Sequence, residues 1–120
     1  MRSREDYPSN VVEIQEHDKA CGANDFTVAA YGPDRVLKGK YFTFHSNSVE
    51  GHEVLIDRGY SHNLGDIDES KDVITSEYIF GIAHDREGAQ DRLYGQAQVR
   101  AGELSRETGL ELVDTTGRDI

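Results

Sequence analysis

Cysteine, proline, lysine and tryptophan are scarce in this 120-residue chain, which has one Cys, two Pro, four Lys and no Trp. Cys21 alone closes no internal disulfide. Its only basic neighbour is Lys19, so it reads as a small packed side chain rather than an activated thiolate. Long apolar runs are missing too: Thr27–Tyr31 and Tyr78–Ala83 fall far short of the roughly 18 residues that a membrane helix needs. The opening Met1-Arg2-Ser3-Arg4-Glu5-Asp6-Tyr7-Pro8 has no apolar central stretch, so export through a secretory leader is not expected. No membrane partner is expected either.

Positive charge is the next deficit. Asp and Glu number 23 against 13 Lys and Arg, for a formal net charge of -10. The bases are scattered and form no cluster that neutralises a run of phosphates, which disfavours direct binding to nucleic acid or an anionic membrane surface. The carboxylates have no regular spacing, so imitation of a phosphate backbone is also disfavoured. Arg outnumbers Lys nine to four. That surface suits a protein working in high salt, where the Debye length shrinks to about 3 Å at 1 M and self-repulsion collapses. An ordinary acidic surface kept soluble by its charge gives the same composition. Leu, Ile, Val and Phe supply 27 of 120 residues, enough for one domain with a thin core, for which docking on a partner is a natural supplement.

The punctuation is that of a β protein. Turn signals fall at Cys21–Asp25, Gly32-Pro33-Asp34, Lys38-Gly39, Glu50-Gly51, Arg58-Gly59 and Asn63–Asp66. Between them lie segments of strand composition: Phe26–Tyr31, Lys40–His45, Glu53–Asp57, Val73–Ala83, Leu93–Ala101 and Leu110–Val113. In the second of these, Phe42 and Phe44 share one face and Thr43 and His45 the other. One segment is ambiguous. Ala89, Leu93, Ala97 and Ala101 form a helical stripe, whereas Ala97, Val99 and Ala101 also alternate as a strand would. Gly88, Gly95 and Gly102 each cost about 1 kcal/mol inside a helix, so the segment is read as strand and the glycines as hairpin punctuation. Residues 1–14 read as a flexible arm and 15–120 as a single β-rich domain of small barrel or sandwich type. Val11, Val12 and Ile14 are either apolar anchors on that arm or an edge strand of the domain.

Chemistry is harder to find. His17, His45, His52, His62 and His84 match no compact zinc spacing. Asp66, Asp68, Ser70 and Glu77 occupy positions 1, 3, 5 and 12 of a calcium loop, but position 6 holds Lys71 where glycine belongs. There is no Gly-x-Ser-x-Gly elbow and no phosphate-binding glycine loop. No catalytic residue, metal ligand or cofactor is therefore expected, and no enzyme.

Three strings occur in a telling order: Val36-Leu37-Lys38-Gly39-Lys40-Tyr41-Phe42, then Ile79-Phe80-Gly81-Ile82-Ala83-His84-Asp85, then Gln98-Val99-Arg100-Ala101-Gly102-Glu103-Leu104. Over about residues 26–104 this order resembles the head decoration proteins of tailed viruses, the family of the lambda capsid-stabilising protein. The acidic middle stretch, Ser46–Ser76, and the tail from Ser105 to Ile120 depart from that pattern. The resemblance implies a structural virion subunit, made in the host cytoplasm, that trimerises on the capsid surface and clamps neighbouring copies of the major capsid protein. It also implies an N-terminal arm that orders on the capsid, for which Tyr7, Val11, Val12 and Ile14 are the candidate contacts. A virus of a salt-loving host fits the charge. The alternative from another class is a small β-barrel metal-binding protein or enzyme using some of His45, His52, His62 and His84; a tail or neck subunit is a second.

Overall fold

Segments rich in β-branched and aromatic residues generate the sheet. The computed structural model describes residues 10–18, 24–63 and 67–116. Five strands form an antiparallel meander: β1 (Val11–Asp18), β2 (Asn24–Tyr31), β3 (Leu37–Val49), β4 (His52–Ser61) and β5 (Val73–Ala83). Helix α1 (Arg86–Thr108) then leads to the short strand β6 (Glu111–Asp114), which pairs parallel with β1. The order across the single sheet is β5-β4-β3-β2-β1-β6. The fold is mainly β, as expected, but the sheet is open rather than closed into a barrel.

This order explains why a helix stands where a strand was expected. The chain must travel from one edge of a six-stranded sheet to the other, about 24 Å at the usual strand spacing. Twenty-three helical residues reach about 34 Å and cover the sheet on the way. Leu93–Ala101 is therefore the middle of α1, and Gly88, Gly95 and Gly102 lie within it. Burial of the stripe Ala89, Leu93, Ala97, Ala101 and Leu104 outweighs their helix cost. Both ends are capped: the Asp85 side chain accepts from Gly88 N–H at 2.5 Å, and Gly109 takes a left-handed conformation with its N–H on Ser105 O.

The main core lies between α1 and one sheet face. Val12 and Ile14 from β1, Phe26 and Val28 from β2, Phe42 and Phe44 from β3 and Leu55 from β4 all point into it. Each such side chain contributes about 1.5–3 kcal/mol of transfer free energy. A smaller cluster of Ala29, Tyr31, Tyr41 and Tyr60 occupies the opposite face, with the Tyr41 and Tyr60 rings stacked at 4.9 Å.

The expected arm does not extend to residue 14. Val11, Val12 and Ile14 are fully buried in β1, flanked by β2 and β6. Thr115 closes this side by donating both its N–H and its hydroxyl to Ile14 O, at 3.0 and 2.8 Å. These three residues are consumed by the chain's own sheet and do not project as contacts for a capsid. Tyr7 lies outside the described residues.

Candidate functional site

β5 is the edge strand of the meander, and its composition is unusual for an edge. Of nine large hydrophobic residues that stand exposed among the described residues, five belong to it: Val73, Ile74, Tyr78, Ile79 and Ile82. Ile79 is 62% exposed. Natural edges are normally blunted by Lys, Pro or shortness. This one runs eleven residues and contains neither Lys nor Pro. Its one charge, Glu77, forms an ion pair with Arg58 on β4. Burial alone would lower the Arg58 pKa, but Glu77 outweighs it and the net direction is up.

The blunting present is geometric, except near the end of the strand, where the Arg92 guanidinium of α1 donates to Ile82 O. The register with β4 shifts between Leu55 and Ile56 and again between Gly59 and Tyr60, so Phe80 and Thr75 are extra residues on β5. Between these bulges Ser76 to Ile79 pair regularly. Ile79 and Ile82 pair with Ile56 and Val54, and Ile74 with Tyr60, which sets the three isoleucines on the sheet face away from α1.

The start of β5 is held by a polar knot. Asp72, the residue before the strand, accepts from Tyr41 hydroxyl at 2.7 Å and from Asp68 N–H at 3.0 Å, and its Oδ2 lies 2.9 Å from His62 Nδ1. Burial alone would raise the Asp72 carboxyl pKa, but these hydrogen bonds outweigh it and hold it below the ordinary aspartate value. Tyr41 is pushed up strongly, by burial first and then by Asp72. The His62 side chain is almost fully enclosed, at 2% exposure. A His–Asp pair so closed fastens a loop; it offers no open face to a substrate.

A second polar link ties α1 to β4. Asp57 Oδ2 accepts from Arg100 Nε at 2.8 Å and from Gln96 Nε2 at 2.9 Å. Its Oδ1 is buried with no hydrogen-bond partner among the described residues. The Arg100 guanidinium also lies over the Phe42 ring, 4.8 Å from its centroid, and reaches Glu103. The Arg100 pKa moves up: burial lowers it, but Asp57 and Glu103 outweigh that.

The histidines of the metal alternative do not converge. His62 is engaged with Asp72, His52 and His84 meet edge to face at 5.1 Å, and His45 is buried on β3. Among the described residues no three of His, Cys, Asp and Glu are placed to hold a metal. The calcium-loop pattern also dissolves: Asp68 Oδ1 accepts from Ser70 N–H and hydroxyl, while Glu77 is held by Arg58 on the sheet. Asp66 and Cys21 lie outside the described residues. No described helix is long and apolar enough to cross a membrane.

Strand β5 was legible as a strand, with the same bounds, but not as an edge. Apolar residues on both of its faces suit a buried central strand equally well. No protein family, curated protein or solved structure matches this chain.

Proposed function

We propose that this chain is a structural subunit that works by adhesion, and that its setting is the outer surface of a viral capsid. The observation that carries the reading is β5: a long, apolar, nearly uncharged edge on a chain of net charge -10. Exposed apolar patches of this kind mark protein–protein contact. The capsid setting comes from the resemblance of the three strings, two of which fall on the start of β3 and the end of β5. The third lies in α1 rather than in a strand, so the setting rests on the first two and on their order. In that setting the subunit takes no cofactor, performs no bond-making chemistry and holds neighbouring copies of the major capsid protein together; the resemblance adds a three-fold arrangement. A high-salt host accounts for the excess of acid.

Co-sedimentation with shells assembled from the major capsid protein of the same virus tests the reading. Saturable binding at a fixed ratio per shell, together with a higher temperature of shell disruption, supports it. A chain that stays in the supernatant at every salt concentration overturns it.

A further inference from the structure

The partner of the β5 edge follows from its charge and symmetry. We infer that β5 pairs antiparallel with β5 of a second copy of this chain, joining two sheets into one of twelve strands. The inference rests on reading β5 as an assembly surface but not on the capsid setting, and it departs from the three-fold arrangement of the resemblance.

Three observations lead to it. An edge strand presents unpaired N–H and C=O groups that another strand satisfies, so the natural occupant is itself a strand. Two copies carrying -10 each repel one another through their carboxylates, and β5 adds little to that repulsion, since its one charge is already paired with Arg58 and the Arg92 cation lies at Ile82. A basic partner would instead be drawn to the acidic surface, where its charge is satisfied, rather than to a neutral strand. Finally, a two-fold axis perpendicular to the sheet keeps each face on its own side. It therefore sets the stripe of Ile74, Ile79 and Ile82 beside the same stripe of the second copy.

Register then narrows to one residue. Such an axis places some residue directly opposite itself, and the longest regular run on β5 is Ser76 to Ile79, between the bulges, with Val73–Ile74 and Gly81–Ala83 as shorter runs beyond them. Centring on Glu77 would set like charges opposite each other, which is destabilising in a cross-strand pair. Centring on Tyr78 instead puts Tyr78 opposite Tyr78 and Glu77 opposite Ile79 of the second copy, apolar against the stem of a charge that keeps its own arginine. Centring on Ser76 or Ile79, at the ends of the run, would put a bulge residue, Thr75 or Phe80, in the adjacent cross-strand pair, so Tyr78 is the residue placed on the axis.

The test has two parts. Sedimentation equilibrium of the intact chain in dilute and in molar KCl is expected to show a dimer that tightens with salt, as screening removes self-repulsion. Ile79→Asp is expected to weaken it by at least about 30-fold, since a carboxylate is costly in an apolar contact. Ile79 is exposed in the monomer, so an unchanged circular-dichroism spectrum verifies that this variant folds. In a Cys21→Ser background, Tyr78→Cys is expected to oxidise to a covalent dimer, because residues directly opposite in antiparallel pairs lie within disulfide range. Thr75→Cys, on a bulge, is expected not to. A monomer at roughly 100 µM, a trimer, an oligomer indifferent to Ile79→Asp, or equal cross-linking of the two cysteine variants would each overturn the inference. A monomer that still sediments with capsid shells overturns the dyad alone, whereas a dimer that ignores shells supports the dyad and removes the capsid setting.

Discussion

β1 and β5 are made of similar material and have opposite fates. Each is rich in β-branched residues, yet Val11, Val12 and Ile14 in β1 are fully buried while Val73, Ile74, Ile79 and Ile82 in β5 stand exposed. The difference lies in what flanks and covers each strand. β1 has β2 on one side and β6 on the other, with α1 above it; β5 has β4 on one side only. An apolar strand is core or exposed rim according to its place in the sheet, and composition does not decide which.

The sharpest way to break the comparison is to put the same charge in both strands. Ile14→Asp is expected to destabilise the fold by more than about 4 kcal/mol, because a carboxylate would be buried without a partner. Ile79→Asp is expected to change the stability of the monomer by no more than about 0.5 kcal/mol. Urea unfolding of the two variants side by side measures both; equal losses would erase the distinction between the strands.

The attachment of α1 sharpens it further, since α1 is what covers β1. Asp57→Ala removes the carboxylate that Arg100 and Gln96 share, and a loss of about 3 kcal/mol is expected for breaking a buried pair whose cation retains some access to water. Asp57→Leu, which keeps much of the volume, is expected to do less damage if combined with Arg100→Met, and a double-mutant cycle isolates the coupling.

At the C-terminal end of the same helix, Gly109 has φ +71°. Gly109→Ala is expected to cost about 1 kcal/mol for the left-handed cap, read as a shift of the urea midpoint at unchanged slope.

The smallest effect is expected at the knot that starts β5. The Asp72 carboxyl is held below its usual pKa by the hydrogen bonds from His62, Tyr41 and Asp68 N–H. A group depressed in the folded state adds stability above its unfolded pKa, near 3.8, and loses it as pH falls through the lower folded value. The wild-type melting temperature is therefore expected to fall as pH drops below about 4 more steeply than that of Asp72→Asn. Parallel melting profiles over that window would show that the knot contributes no ionised carboxylate.

Much of the sheet was legible because strands announce themselves locally. Val73–Ala83 is found with the bounds the sequence gives it, and the inward pair Phe42 and Phe44 meets the helix. The polar knot was not legible. Tyr41 and Asp72 are 31 positions apart, and Asp57 and Arg100 are 43 apart; in a chain with 23 acids no single carboxylate signals its partner.

Local pattern by itself determined a mainly β chain, the turns at Gly32–Asp34 and Glu50-Gly51, and its acidic and thinly cored character, whereas Lys38-Gly39 and Arg58-Gly59, read as turns, lie inside β3 and β4. Tertiary structure decided three things. It turned the Ala89–Ala101 stripe into a helix, because only a helix spans and seals the sheet between β5 and β6. It drew Val11, Val12 and Ile14 inward, because β6 returns to pair beside them. It left β5 at the rim, because strand order is set by which long-range pairings close together, and a period of two carries no record of whether a strand has one neighbour or two.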